Sequence, residues 1–81
     1  MINRIGEVLK EKKANNKDLV SFLKIEKETV SRWVNNKHQP TVTTLNKIAE
    51  FLRVDIRELL YPSDWSESDV EGFNPKTKSR L

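Results

Sequence analysis

Apolar residues recur at helical spacing from Ile2 to Tyr61 and then thin out. Ile5, Val8 and Leu9 predict a first helix from about Asn3 to Lys12. Leu19, Val20, Phe22 and Leu23 predict the apolar side of a second helix, Asp18 to Leu23, with Asn15 or Asn16 as its N-cap. Val30, Trp33 and Val34, spaced i, i+3, i+4, predict the inner side of a third helix, Lys27 to Asn35. Asn35-Asn36 ends it, because Asn tolerates the left-handed conformation that usually calls for Gly. Lys37-His38-Gln39-Pro40 then reads as a loop. Thr41 is a good N-cap for a fourth helix, Val42 to Leu52, striped by Leu45, Ile48, Ala49 and Leu52. Asp55 caps a fifth helix, Ile56 to Tyr61, which Pro62 stops. Val, Ile and Thr never alternate as a strand requires, so the fold expected is all-α.

The joint between the second and third helices is only Lys24-Ile25-Glu26. So short a joint forces a tight helix–turn–helix corner, a unit that presents its second helix to a DNA major groove. With Val30, Trp33 and Val34 turned inward, Lys27, Glu28, Ser31 and Arg32 point outward. Those side chains carry the donors and acceptors that read base edges.

Charge strengthens this picture by its distribution rather than its total of +3. Residues 10–37 hold Lys10, Lys12, Lys13, Lys17, Lys24, Lys27, Arg32 and Lys37 against Glu11, Asp18, Glu26 and Glu28, a local +4. Residues 38–61 balance, residues 62–72 carry four acids and no base, and residues 73–81 carry three bases and no acid. A scattered solvating surface would not concentrate its basic surplus on the helix–turn–helix; a phosphate-facing surface would. The tail, 62–81, separates from a folded unit over 1–61. Disorder is its default reading, although Trp65 and Phe73 are large enough to dock on the core or on a partner.

Several function classes fall away. The chain has no cysteine, which excludes disulfides, thiolate metal sites and cysteine nucleophiles. His38 is the only histidine, and Gly6 and Gly72 are the only glycines, so no catalytic constellation, metal cluster or phosphate-binding glycine loop can be assembled. No enzyme, cofactor or metal is expected. No apolar stretch approaches the roughly 20 residues of a membrane span, and the N-terminal residues lack a signal-peptide core; a cytoplasmic protein is expected.

Taken in order, three segments resemble the Cro and lambda-repressor-like (XRE-type) helix–turn–helix domains of phage and bacterial regulators. They are Thr29-Val30-Ser31-Arg32-Trp33 with Asn36-Lys37 and Pro40, then Thr44 to Leu52, then Val54 to Leu60. The resemblance covers about Asn3 to Leu60 and implies a compact five-helix DNA-binding domain. It implies a sequence-specific regulator of double-stranded DNA, a repressor acting as a homodimer on a pseudo-palindromic operator. Lys27, Glu28 and Arg32 would meet base edges, with Thr29 and Ser31 on the same surface. Asn16, Lys17, Asn36 and Lys37 would lie near phosphates, and His38 is either a further phosphate contact or an idle surface residue. Glu28 could serve the helix dipole, a cytosine amino group, or both. The segment after the fourth helix would meet its two-fold mate, placing Leu59, Leu60 and Tyr61 at the dimer contact. A rival reading from another class is an antitoxin-type interaction module whose tail, through Trp65 and Phe73, binds a partner protein.

The chain departs from the family pattern at several positions. Asn16 stands where Gln is usual, one methylene shorter. Lys24 stands where a glycine usually takes a positive φ, at a cost of about 1 kcal/mol if the backbone is unchanged. Glu26 replaces the usual Ser or Thr cap. Leu9 and Val34 occupy positions that often hold an Arg–Glu pair, and an apolar contact is expected in its place, a swap that can be neutral or stabilising.

Overall fold

The computed structural model describes residues 1–63. Four α-helices follow one another: α1 (Ile5–Glu11), α2 (Asn16–Leu23), α3 (Lys27–Val34) and α4 (Val42–Leu52). The expected fifth α-helix is instead a single 3₁₀ turn, η1 (Ile56–Leu59). Only four residues separate the cap Asp55 from extended Leu60, too few to propagate an α-helical ladder. The first helix also starts two residues later than expected. Asn3 forms an antiparallel bridge with Leu60, and the Arg4 and Tyr61 amides donate to the carbonyls of Leu59 and Ile2, each at 2.9 Å.

One core runs through all five elements. Ile5, Val8, Leu9, Leu19, Val30, Trp33, Leu45, Ile48, Ala49, Leu52 and Leu59 are buried, and Ile25 in the corner packs against them. Phe22 does not join them. It is half exposed and stacks on Phe51 of α4, with ring centroids 4.5 Å apart. Leu9 and Val34 belong to the same apolar assembly and line one cleft. Gly6 lets α1 and α3 approach there, since a Cβ on it would lie 3.0 Å from Val34 Cγ1.

The helix ends explain why so few glycines suffice. Lys13, Lys24, Asn36 and Arg53 all have φ between 56° and 60°, each just past a helix. Three of these ends close with a bond reaching back five residues: Ala14 to Leu9 at 2.8 Å, Lys37 to Arg32 at 2.8 Å and Val54 to Ala49 at 3.0 Å. That is the Schellman pattern, which satisfies carbonyls the helix leaves open. Lys24 adopts the left-handed conformation the family pattern implies, without the glycine.

The start and end of the domain are sewn together by charge as well. Arg4 pairs with Glu7 at 3.2 Å and Glu11 at 3.0 Å, and donates to the Glu58 carbonyl at 2.9 Å. The Tyr61 hydroxyl donates to Glu7. That bond and the Arg4 ion pair hold the Glu7 carboxyl below its ordinary range, and the bond to Glu7 raises the Tyr61 phenol.

One expectation about the end of the chain changes. Leu59 is fully buried in its own core and has no surface to offer a mate, which removes it from the expected dimer contact. Leu60 and Tyr61 remain half-buried. The expectations for Trp65, Phe73 and the tail lie outside the described residues.

Candidate nucleic-acid interface

The corner is built by complementary capping choices. Asn15, not Asn16, caps α2: its side chain accepts from the Asp18 amide at 3.1 Å, and Asp18 accepts from the Asn15 amide at 2.8 Å. This reciprocal box satisfies two open donors and leaves the Asn16 side chain for the surface. Glu26 precedes α3 without a side-chain cap bond, as its geometry implies, while its carbonyl still accepts from Thr29 at 3.1 Å.

Between α2 and α3 the surface opens into a groove of about 730 Å³. Lys27, Glu28, Ser31 and Arg32 of α3 form one wall; Asn16 and Lys17 of α2 form the other, and Lys37 closes the far end. Four cations thus face one carboxylate. Seven of the expected site residues therefore meet in one place, although they come from three segments of the chain. Val20 supplies an apolar patch of the groove floor.

Asn35 also lines this groove and was missed in the sequence, where it reads only as a helix terminator. Its amide donates to the Ser31 carbonyl at 2.9 Å and hydroxyl at 3.3 Å, which fixes both side chains. The signal was available, since Lys27, Ser31 and Asn35 repeat at i, i+4, i+8.

Three expected residues lie elsewhere. Thr29 is half-buried on the opposite flank of α3, in hollows shared with Trp33. His38 is exposed beside Arg32 and Gln39. Asn36 is turned inward. Its Oδ1 accepts from the amides of Ile2 at 3.0 Å and Asn3 at 2.9 Å, and its Nδ2 donates to the Asn3 carbonyl at 3.0 Å. An amide so engaged has little left for a phosphate, so Asn36 leaves the set of outward-facing contacts.

Residues 4–64 match the family model of the Cro/C1-type HTH DNA-binding domain. The crystal structure of a candidate DNA-binding protein from Bacteroides fragilis superposes with a TM-score of 0.73 at 44% identity, over 75% of this chain and 100% of that one. No curated protein matches the chain.

Proposed function

Because the chain belongs to the Cro/C1-type helix–turn–helix DNA-binding family, we propose that it is a sequence-specific transcriptional regulator that represses by occupying an operator as a homodimer. The observation that carries this reading is the α2–α3 groove, where Lys17, Lys27, Arg32 and Lys37 surround Glu28 and Ser31 on an exposed helix face. Arg32 and Lys27 suit guanine O6 and N7, and Glu28 suits a cytosine amino group. Asn16, Lys17, Lys37 and His38 take the flanking phosphates. Repression is by occlusion of polymerase, and the place of action is the cytoplasm. No helix among the described residues is long and apolar enough to cross a membrane.

The DNA-binding unit in this reading is 1–61, with 62–81 as a tail. The mate contacts the seam formed by Ile2, Leu60 and Tyr61. Ile2 is 58% exposed and Met1 88% exposed beside it, an apolar edge on the described surface. A contact this small makes a weak dimer that DNA reinforces.

Selection of bound duplexes from a random pool tests the proposal. It should return an inverted repeat with half-site centres about 10 base pairs apart. Enrichment of no sequence would refute specific reading. Sedimentation of the full chain and of Tyr61→Lys, each with the selected duplex, tests the mate contact. The native chain should bind two copies per duplex cooperatively, and Tyr61→Lys should lose that cooperativity.

A further inference from the structure

Asn36 sits at φ 60°, where glycine would be the least strained residue, yet its side chain is among the most heavily bonded in the described chain. It accepts from two consecutive amides, Ile2 and Asn3, and returns a bond to the Asn3 carbonyl. Asn3 is itself 1% exposed, and its Nδ2 donates to the Trp33 carbonyl at 2.8 Å and to Gln39 Oε1 at 2.7 Å. Gln39 in turn reaches Asn36 Oδ1 at 3.4 Å. Asn3, Asn36 and Gln39 therefore close a ring around the exit of α3. Two of its members flank Lys37 and His38. The backbone of that exit is also tied down, because the Lys37 and His38 amides donate to the Arg32 carbonyl at 2.8 and 3.3 Å. The ring thus attaches the N-terminal segment, more than 30 residues away in sequence, to the point where the chain leaves the recognition helix.

We propose that Asn36 is a positioning residue for DNA binding: its amide clamps the Ile2–Asn3 backbone to the end of α3 and thereby fixes where Lys37 and His38 meet the phosphate backbone. The inference rests on the DNA-binding reading of the groove. It gives Asn36 a role through its neighbours rather than through contact with DNA. A glycine at the same place would keep the turn and lose the clamp.

Asn36→Gly in the full chain tests this, because glycine adopts φ 60° without strain and removes only the side chain. The fold should survive, while the amide protons of Ile2 and Asn3 lose their protection against exchange. Affinity for the selected duplex should fall by roughly three- to tenfold, the range expected for losing a hydrogen bond or two that holds a contact in place. The slope of log affinity against log salt should shrink by about 0.9, one phosphate contact. Lys37→Ala should then cost less in the Asn36→Gly background than in the native chain, since the lysine is already loosened.

Ile2→Pro, measured on a single half-site so that the mate contact at Ile2 plays no part, provides a second variant that keeps every residue of the α3 exit and the groove. It removes one donor to Asn36 Oδ1, and should move affinity in the same direction by a smaller factor. This separates the clamp from the added backbone freedom of a glycine. A native chain that binds no duplex would overturn the DNA reading and this inference together. Native binding combined with unchanged affinity and salt slope in both variants would overturn this inference alone. Additive losses in the Asn36→Gly, Lys37→Ala pair would also overturn it.

Discussion

The same residue type does opposite work on two sides of this small domain. In the groove, Asn16 and Asn35 line an open surface among Lys17, Lys27, Arg32 and Lys37. In the seam, Asn3 and Asn36 are bonded to each other, to Trp33 and to Gln39, and Asn3 also accepts from the Ile5 amide at 3.0 Å. Burial makes the difference. An amide in the seam must find partners inside the protein, because an unmet buried polar group costs about 1–3 kcal/mol. In the groove, the Asn16 amide has water until a ligand displaces it, and Asn35 bonds only within its own helix, to Ser31. Asn3 should therefore be read out in stability and the groove residues in binding, while Asn36 acts on binding through the Lys37–His38 backbone that it fixes.

The largest effect should come from the seam. Asn3→Ala strands the Ile5 amide and takes one of two donors from the Trp33 carbonyl, which keeps the Asn36 amide, and should lower unfolding free energy by about 2–4 kcal/mol, an orphaned amide plus a lost bond. A denaturation midpoint within error of the native chain would show that water replaces those bonds and that the seam holds little. Next comes the groove. Arg32→Ala should cost about 1–3 kcal/mol on the selected duplex and much less on random DNA, with stability changed by less than about 0.5 kcal/mol. Equal losses on both duplexes would make Arg32 a phosphate contact only.

Much of this division was legible beforehand. The helical stripes of Leu45, Ile48, Ala49 and Leu52, and of Val30 and Trp33, correspond to buried faces, because a 3.6-residue period leaves little choice about which side turns inward. The groove was legible for the same reason: Lys27, Glu28, Ser31 and Arg32 are what the inward side of α3 leaves over. The seam was not. Asn3 and Asn36 are 33 residues apart, and nothing local marks two asparagines as partners. Phe22 was misplaced because periodicity within α2 says nothing of where α4 ends, and Phe51 draws the ring out of the core. Leu59 read as outward because the family resemblance sets the segment after the fourth helix against a mate. The 3₁₀ turn and the bridge at Asn3 bury Leu59 and leave Ile56, Leu60 and Tyr61 partly covered.

A smaller effect lies at the corner between the two regions. Lys24→Gly relieves a left-handed lysine at φ 56° and should raise stability by up to about 1 kcal/mol, with no change in duplex affinity. A loss of stability there would mean that the Lys24 side chain makes a contact worth more than the strain. The smallest effect concerns pH. Glu7 is held below its ordinary range, first by the Tyr61 hydroxyl and then by Arg4. Its contribution is therefore present above the ordinary carboxylate pKa and is lost as pH falls through the lowered value. An NMR titration should place Glu7 below the ordinary carboxylate range. Glu7→Gln should flatten the acid limb of stability slightly, and a Glu7 titration at the ordinary value would leave the Tyr61 bond without energetic weight.

The central claim is that the α2–α3 groove holds duplex DNA through its phosphates as well as its bases, and a salt series on the full chain tests it most directly. If Lys17, Lys27, Arg32, Lys37 and their neighbours together neutralise about six phosphates, affinity should fall by roughly 10³-fold or more between 50 and 200 mM salt. Absence of duplex binding at 50 mM salt, or binding with a flat salt dependence, would contradict it.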